Sequence, residues 1–418
     1  MAEKRTRKWK DLDFSLLTLV LVLLAIGLLM VFSASSYYAM YRFGDKYMFV
    51  AKQAVFALLG VFLMLVTSRI DYHIIGKISP ALAMLGILLL GVVLIPGIGW
   101  VSNEARRWFN LGFTTVQPSE FMKIALILVL SFSLSQRHNK LKSLWSGLVP
   151  YLVMVGIIDA ELYFEPHMSA IVIITLISLI ILIAAGAKFW HFLLVSVPAV
   201  AIGALLMVME GYRMDRIMTF IGQNNDPTGD AYQITNSLIA IGSGSLFGRG
   251  LGQSLQKNLY IPEPQSDFIF AVLAEELGFI GAVTVLLLFV LLIIRGMRVA
   301  MNAPDMLGGL MGVGLTSLFA IEVMLNLAVV TKSIPTTGIP LPFFSSGGTS
   351  LLFMMVAMGI LLNISRQTVP AFRPGAVPDP ERQPAKGQLV KGPPVKRQPS
   401  LRGAPPKQVP GPAGRTRR

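Results

Sequence analysis

The chain contains no cysteine, and only 14% of its 418 residues are charged. The absence of cysteine excludes disulfides and thiol chemistry. Hydrophobic residues make up 54% of the chain, and the mean hydropathy is +0.66. A soluble domain of this size could not hide so much apolar surface from water. The composition therefore predicts a polytopic membrane protein.

The apolar residues fall into separate segments of about 20 residues, the length that an α-helix needs to cross a bilayer. Barrel strands need only about 10 residues, so the pattern predicts an all-α fold. The first segment lacks a cleavage site and is expected to be a retained helix. We expect about ten transmembrane helices, with a long extracytoplasmic loop, residues 210–266, between helices 7 and 8. The predicted spans are 14–33, 48–67, 80–97, 119–135, 146–160, 168–185, 189–209, 267–294, 307–330 and 348–365.

Acidic residues are the scarcer charge, 22 against 36 basic ones, which gives a net charge of +14. The excess lies at the two ends of the chain, so it does not indicate nucleic-acid binding. Basic residues 1–13 predict a cytoplasmic N-terminus, and an even number of spans returns the C-terminus to the cytoplasm. Residues 14–366 form the predicted transmembrane domain. Residues 367–418 are rich in basic residues and proline, so we expect a disordered basic tail that either contacts anionic lipids or is merely solvated.

The most informative polar residue is Asp267, an acid at the start of the predicted apolar helix 267–294. An acid inside such a helix costs about 2.5–3.5 kcal/mol at mid-bilayer, so a function usually explains it. Helical periodicity puts small residues below Asp267 on one face, with Glu275 beside them about 12 Å deeper and Glu276 on the opposite side. Ser266 is placed to cap the helix. Asp267 is thus either a first-turn acid that the helix dipole favours or a catalytic group.

Two arginines and a tryptophan, Arg106, Arg107 and Trp108, lie in the predicted outer loop 98–118. Basic residues are usually scarce on that side of the membrane. The side chains either anchor the loop at the membrane interface or bind phosphate oxygens through their guanidinium forks. The sequence favours the phosphate interpretation.

The next helix opens with Gln117, Pro118, Ser119 and Glu120, and Lys123 follows one turn later. Proline suits the first position of a helix. Glu120 and Lys123 are three residues apart and share one face, so we expect a structural ion pair. Pairing reduces the cost of burying both charges in the membrane.

A glycine-rich run, residues 241–252, lies in the long outer loop. It follows no predicted strand, so a dinucleotide site is not expected. Its backbone N–H groups and Arg249 could hold pyrophosphate, although a flexible loop is the simpler interpretation.

Prolines and glycines break the helix in residues 332–350, between the last two predicted spans. Such backbone occurs near a membrane where it is buried in protein or lines a cavity. Lys332 adds a positive charge on the outer side, so the segment is either a rigid re-entrant turn or a cavity wall. Asn326, in the ninth span, is equally consistent with an interhelical hydrogen bond and a ligand contact.

Glu161, Glu165 and His167 cluster in another outer loop, where their spacing matches no strong metal motif. We interpret this loop as an ordinary connection. The other polar groups together describe an outward-facing cavity with one candidate base, several cations and an apolar wall. Such a cavity suits a lipid-linked substrate that carries pyrophosphate.

Three motifs in this order resemble the SEDS family, the shape, elongation, division and sporulation proteins. The motifs are the R-R-W to Q-P-S-E-x-x-K stretch at 106–123, S-D-F-I-F-A-V-L-A-E-E-L-G at 266–278 and P-T-T-G-I-P-L-P-F-F-S-S-G-G at 335–348. The resemblance covers about residues 12–366. One departure is the stretch 165–170, Glu-Pro-His-Met-Ser-Ala, where many members have Gln-Pro-Asp-Leu-Gly-Thr. It weakens any role for that loop and hints at a division- or sporulation-type subgroup.

The resemblance implies a peptidoglycan glycosyltransferase with ten membrane helices. Such enzymes polymerise lipid II on the outer face of the bacterial cytoplasmic membrane, together with a class B penicillin-binding protein and other proteins of cell-wall synthesis. Membrane lipids are further expected partners, and nucleic acid is not. The family's essential aspartate matches Asp267. We expect the substrate to be bound by Arg106, Arg107, Trp108, Gln117, Ser119, Ser266, Glu275 and Lys332.

The expected mechanism is inversion at the donor sugar with Asp267 as general base. Arginines, Lys332 or a divalent cation such as Mg²⁺ or Mn²⁺ would stabilise the leaving pyrophosphate, and the metal ligands are not predicted. Two alternatives remain open. A lipid II flippase would use the same cavity for transport, and a non-catalytic scaffold would only recruit the penicillin-binding protein.

Overall fold

The computed structural model describes residues 12–102, 105–112, 114–137, 141, 143–188, 190 and 229–368. The chain divides at residue 370 into two units, and every described residue belongs to the first. Most of the predicted basic N-terminus 1–13, of the predicted span 189–209 and of the predicted tail 367–418 lies outside the described residues. The helices are α1 Phe14–Phe43, α2 Met48–Thr67, α3 Tyr72–Val93, α4 Pro118–Arg137, α5 Val149–Phe164, α6 Met168–Ala184, α7 Asp230–Ser243, α8 Ile269–Met301, α9 Met306–Val330 and α10 Gly348–Gln367.

Eight of these helices are long and apolar enough to cross a membrane, counting a π-helical turn at Leu144–Leu148 with α5. Helix α6 is apolar but has only 17 residues. Helix α3 begins at Tyr72 and not near residue 80, because Asp71 caps it through His73 N at 3.0 Å and Pro80 lies inside it. Proline is tolerated within membrane helices when neighbouring helices satisfy the freed backbone groups.

Three helices form the centre of the bundle. The apolar windows of α4, α9 and α10 are 78%, 67% and 67% buried, whereas those of the other candidate spans are 28–39% buried. Around them, α2 packs against α10, α3 against α4, and α8 against α9 and α1. The outer helices therefore present most of their apolar surface to lipid, and the three central helices can carry buried polar groups.

The outer loop 98–118 contains a small antiparallel sheet that the sequence did not predict. Its strands are β1 Gly99–Ser102, β2 Ala105–Asn110 and β3 Thr115–Val116, in the order β1-β2-β3. Trp100 pairs with Trp108 and Val101 with Arg106, so Arg107 is the extra residue of a β-bulge. A bulge interrupts the alternation of side chains along a strand and redirects the extra residue.

Residues 229–266 are the described part of the predicted long loop. They include helix α7, which packs against α8 and α9. The Ser237 hydroxyl donates to the carbonyl of Val330 at 2.9 Å and fixes α7 to the end of α9. Residues 230–243 of the loop are therefore a packed helix.

Helix α8 contains a kink at Gly278, whose φ of 69° and ψ of −171° are not helical. The N–H groups of Phe279 and Ile280 bond to carbonyls of the glycine run, those of Ser245 and Leu246, at 2.9 and 3.2 Å. In return, two N–H groups of the run donate to the carbonyls of Glu275 and Glu276, each at 3.0 Å. The run thus replaces the bonds that a continuous helix would make between these residues.

Glycine is required where the glycine run meets this kink. A Cβ added to Gly248 would lie 2.1 Å from the Glu276 carbonyl oxygen, and one added to Gly278 would lie 2.2 Å from the Gly248 nitrogen. Both residues also have positive φ, which favours glycine. The run therefore has a packing role, which differs from both a flexible loop and an open pyrophosphate nest.

Candidate functional site

Asp267 lies in a turn just before α8. The helix begins at Ile269 after Phe268, and no side chain caps it. The expectation that Asp267 stands in the first helical turn, capped by Ser266, is therefore wrong. The carbonyl of Ser266 instead accepts a hydrogen bond from the Ser345 hydroxyl at 2.9 Å. Asp267 is half-buried and keeps access to solvent.

Asn326 fixes the backbone around Asp267. Its side-chain amide donates to the carbonyls of Asp267 at 2.8 Å and Ile339 at 2.7 Å. A Cβ added to Gly338 would lie 3.5 Å from Asp267 Oδ2, so the carboxylate lies beside the backbone of the loop 331–347. Asn326 therefore joins two loops, and it holds the candidate base against the P-T-T-G-I-P motif.

The other end of the same motif is also attached to the segment before α8. The Ser346 N–H donates to the Gln265 carbonyl at 2.9 Å. The Gln53 side chain, on α2, donates to the carbonyl of Ser345 at 3.0 Å. Two of the three family-like motifs are thus bonded to each other at several points around Asp267.

The turn between α5 and α6 connects to the R-R-W and Q-P-S-E segments. Arg107 Nε donates to the Glu165 carbonyl at 3.1 Å, and the same guanidinium donates to the carbonyl of Pro166. The Gln117 amide nitrogen lies 3.4 Å from the imidazole Nε2 of His167. Both predicted substrate-binding side chains therefore contact this turn.

The same turn reaches the loop beside Asp267, because the Ser169 hydroxyl donates to the carbonyl of Thr337. Thr337 directly precedes Gly338, the residue against which the Asp267 carboxylate lies. The stretch 165–170, interpreted from the sequence as an ordinary connection, therefore links the R-R-W to Q-P-S-E motif with the P-T-T-G-I-P motif, which in turn lies beside Asp267. Its departure from the usual family pattern gave no indication of this role.

Burial neutralises the two titratable groups of this turn. It raises the pKa of Glu165 to about 8; nearby Glu161 adds to the rise and Arg107 opposes it. Burial also lowers the pKa of His167 to about 3, and the positive charges of Arg107 and Lys123 reinforce the shift. At pH 7 neither group is charged, so Arg107 gives the turn its positive charge.

Four other predicted substrate-binding residues have less defined surroundings. Arg106 and Trp108 are half-buried on β2, and Arg106 reaches the carbonyl of Leu94 only at 3.5 Å. Ser119 is fully buried, and its hydroxyl has no hydrogen-bond partner among the described residues. Lys332 is exposed beyond the end of α9, with a φ of 55°. Their roles remain predictions.

The predicted ion pair is part of a larger buried cluster. Lys123 Nζ lies 2.8 Å from Glu120 Oε1 on α4, and it also contacts the carboxylate of Glu322 on α9. All three side chains are buried. Glu322 was not predicted from the sequence, although a lone acid in the middle of an apolar span is a visible signal.

Glu275 is fully buried and holds the outer loop. Its carboxylate accepts hydrogen bonds from the Ser254 hydroxyl at 2.5 Å and from the N–H groups of Leu255 at 3.0 Å and Gln256 at 3.3 Å. The guanidinium of Arg249 lies 3.5 Å away. This geometry argues against the predicted contact of Glu275 with the substrate, because both oxygens are occupied by the loop and the side chain is 0% exposed.

Glu276 belongs to a second buried cluster that was not predicted from the sequence. Lys257 Nζ lies 2.8 Å from its carboxylate, and the Ser33 hydroxyl of α1 donates to it at 2.6 Å. The cluster therefore links the outer loop, α8 and α1. Neither partner was predictable. Ser33 is 243 residues away from Glu276 in the sequence, and Lys257 lies in irregular chain.

No group of three or more His, Asp or Glu side chains in the described part of the chain is arranged to hold a metal ion. Magnesium usually needs only one or two carboxylates together with substrate phosphates. A single half-buried carboxylate such as Asp267 is compatible with that mode of binding.

Comparison with known proteins identifies the family. The profile of the family described as "Cell cycle protein", which covers FtsW, RodA and SpoVE, matches residues 14–369. Stage V sporulation protein E of Bacillus subtilis strain 168 is 43% identical over 361 residues, which cover 86% of this chain and 99% of that protein. A probable peptidoglycan glycosyltransferase FtsW of Trichlorobacter lovleyi is 42% identical, over 85% of this chain and 93% of the relative.

Solved structures share the fold. A chain from a structure described as "Structural coordination of polymerization and crosslinking by a peptidoglycan synthase complex" has a TM-score of 0.71 at 25% identity, over 86% of this chain and 98% of that one. The rod shape determining protein RodA of Thermus thermophilus has a TM-score of 0.63 at 25% identity, over 86% and 98% of the two chains. The chain is therefore a multi-pass membrane protein, and it belongs to the SEDS family of FtsW, RodA and SpoVE.

Proposed function

We propose that this protein is a peptidoglycan glycosyltransferase that polymerises lipid II into β-1,4 glycan strands on the outer face of the cytoplasmic membrane. Relatives that are 36–43% identical over most of the chain, several of them named probable peptidoglycan glycosyltransferases, support the reaction class. One structural observation carries the choice of catalytic residue. Asp267 keeps solvent access beside the P-T-T-G-I-P motif, which the stretch 165–170 connects to the R-R-W to Q-P-S-E motif.

In the proposed reaction, the 4-hydroxyl of the acceptor GlcNAc attacks C1 of the donor MurNAc. The new C–O bond forms as the bond to undecaprenyl pyrophosphate breaks, and the configuration changes from α to β. A single inversion needs one base and no covalent intermediate. Asp267 accepts the proton of the attacking hydroxyl, a task that requires a carboxylate within hydrogen-bond reach of that hydroxyl.

The leaving pyrophosphate carries negative charge that the site must stabilise. Arg107 is the favoured group, because its neighbour Glu165 is neutral at pH 7 and does not cancel its charge. Arg106 and Lys332 are further candidates. A divalent cation, Mg²⁺ or Mn²⁺, held by Asp267 would neutralise part of the pyrophosphate charge when bound.

The proposed partner is a class B penicillin-binding protein. Its support is the structural likeness to a chain of a peptidoglycan synthase complex in which polymerisation is coordinated with crosslinking. Both termini are proposed to lie in the cytoplasm. Whether the protein serves division, elongation or sporulation is left open by relatives with different names.

The test is glycan synthesis from purified lipid II by the protein co-purified with its penicillin-binding partner. Asp267→Asn should reduce polymer formation by about 10²–10⁴-fold, the usual contribution of a general base. Asp45→Asn is the matched control, because Asp45 is an exposed acid in the turn between α1 and α2. It should polymerise normally.

The thermal midpoint of unfolding and the recovery of the partner should be the same for all three proteins. Normal polymer from Asp267→Asn would refute the assignment of the base. If the wild type makes no polymer but moves lipid II across liposome bilayers, the protein is a flippase. Activity in neither assay, with the partner still bound, would favour a scaffold.

A further inference from the structure

A cavity of about 210 Å³ lies between the end of α4 and the start of α5. It is separated from Ser119, at the other end of α4, by almost the whole length of that helix, about 27 Å at 1.5 Å per residue. The cavity is therefore distinct from the site around Asp267. Residues that line it include Ser133, Arg137, Ser146, Pro150, Tyr151 and Met154.

Chain connectivity places this cavity at a membrane surface. One candidate span ends at Arg137 and the next begins at Leu144, so the chain leaves and re-enters the membrane on the same side. Trp145 is 79% exposed at this level. Exposed tryptophan at the end of a membrane helix is typical of the headgroup region.

The cavity has one charged wall and one apolar wall. Arg137 supplies a guanidinium, and the hydroxyls of Ser133 and Tyr151 lie 3.0 Å apart beside it. Pro150 and Met154 line the apolar side, and none of the described lining residues is acidic. The volume is several times the ~30 Å³ share of one water molecule in the liquid, so a polar group larger than water fits.

The side chains that line the cavity are suited to bind a phosphate group. An arginine fork binds phosphate oxygens through two parallel hydrogen bonds, and the hydroxyl that accepts in the Ser133–Tyr151 hydrogen bond can donate to a remaining oxygen. Basic pockets between membrane helices bind anionic headgroups. The apolar wall suits the glycerol backbone and the start of an acyl chain. We propose that this cavity binds the phosphate headgroup of an anionic phospholipid.

The test is lipid retention by the full-length protein. Wild type and variants are reconstituted in nanodiscs of phosphatidylglycerol and phosphatidylcholine, released, and analysed by native mass spectrometry for bound lipid. The wild type should retain phosphatidylglycerol in preference to phosphatidylcholine. Arg137→Gln should reduce this retention about tenfold, because it removes a charge-assisted hydrogen bond.

Two further variants separate the cavity from general surface charge. Ser146→Trp should also lose the lipid, because the large side chain fills the cavity while Arg137 stays. Arg69→Gln removes another exposed arginine at the end of a membrane helix, outside the cavity lining, and should retain phosphatidylglycerol within about twofold of wild type. All three positions are exposed, so the variants are expected to fold.

Equal retention of phosphatidylglycerol by all four proteins would overturn the proposal, and so would equal retention of phosphatidylcholine by the wild type. A further experiment with excess inorganic phosphate shows whether the bound phosphate group belongs to a lipid or to a soluble anion. Free phosphate that binds with the same dependence on Arg137, in the absence of retained lipid, would show a soluble-anion site and overturn the headgroup assignment.

Discussion

Asp267 and Glu275 lie on one short stretch of chain, but their surroundings differ. Asp267 precedes α8, is half-buried and lies beside the backbone of Gly338. Glu275 lies inside α8, is 0% exposed, and has both carboxylate oxygens bound by the loop 254–256. An acid in an apolar segment is therefore not by itself a sign of catalysis. Solvent access beside the backbone of Gly338 distinguishes the candidate base from the structural acids.

The largest effect is expected at Lys123, which belongs to the structural charges. Lys123→Met leaves Glu120 and Glu322 buried without their cation, which should lower the free energy of unfolding by about 3–5 kcal/mol. The measurement is the thermal midpoint and the yield of monodisperse protein in detergent. Glu120→Gln is the matched control. It keeps one Lys123–Glu322 pair and should lose much less stability, whereas equal losses would contradict the three-residue cluster.

A smaller effect is expected at Glu275. Glu275→Gln keeps the size of the side chain but weakens the hydrogen bonds from Ser254, Leu255 and Gln256, so stability should fall by about 1–3 kcal/mol. Glycan synthesis per folded molecule should stay within about twofold of wild type, because Glu275 does not touch the proposed reaction. A loss of activity like that of Asp267→Asn, with unchanged stability, would restore Glu275 as a substrate contact.

The smallest expected effect is the change in stability that titration of Glu165 causes between pH 6.5 and 8. Its pKa in the folded protein is raised to about 8 from 4.5, so the folded state holds a proton that the unfolded state has released. Stability should therefore fall as the pH rises from 4.5 to about 8, with a slope of at most about 1.4 kcal/mol per pH unit.

Comparison of the wild type with Glu165→Gln between pH 6.5 and 8 isolates this contribution. The pKa of His167 is lowered to about 3 from 6.5, so its opposite effect on stability is confined to lower pH. As the pH falls from 8 toward 6.5, the thermal midpoint of the wild type should rise relative to that of Glu165→Gln. Only the wild type has the titrating carboxyl group of Glu165. Parallel profiles across this window would show that Glu165 does not hold the proton.

Much of the fold was predictable from the sequence. Nine of the ten predicted spans coincide with helices, and the tenth, 189–209, lies almost wholly outside the described residues. Bilayer thickness fixes the length of each apolar segment, so local hydropathy is sufficient to locate it. The sheet β1-β2-β3 was missed because its strands have only two to six residues, too few for a clear alternation of apolar and polar side chains.

The site was predictable only where its interactions are local. Glu120 and Lys123 are one helical turn apart, so their pairing follows from periodicity. Glu322 is 199 residues from Lys123, and only helix packing brings them together. The start of α8 was misplaced for the same reason. Asn326 and Ser345, both from distant segments, hold residues 266–267 in a turn.

The kink at Gly278 gives α8 a mechanical discontinuity. Because the carbonyls on one side and the N–H groups on the other bond to the glycine run, the two halves of the helix share no backbone hydrogen bonds across Glu275–Phe279 and Glu276–Ile280. The half next to Asp267 is thus fastened to the glycine run as one body. A load applied to that run would reach the proposed catalytic carboxylate before it reached the longer half of the helix.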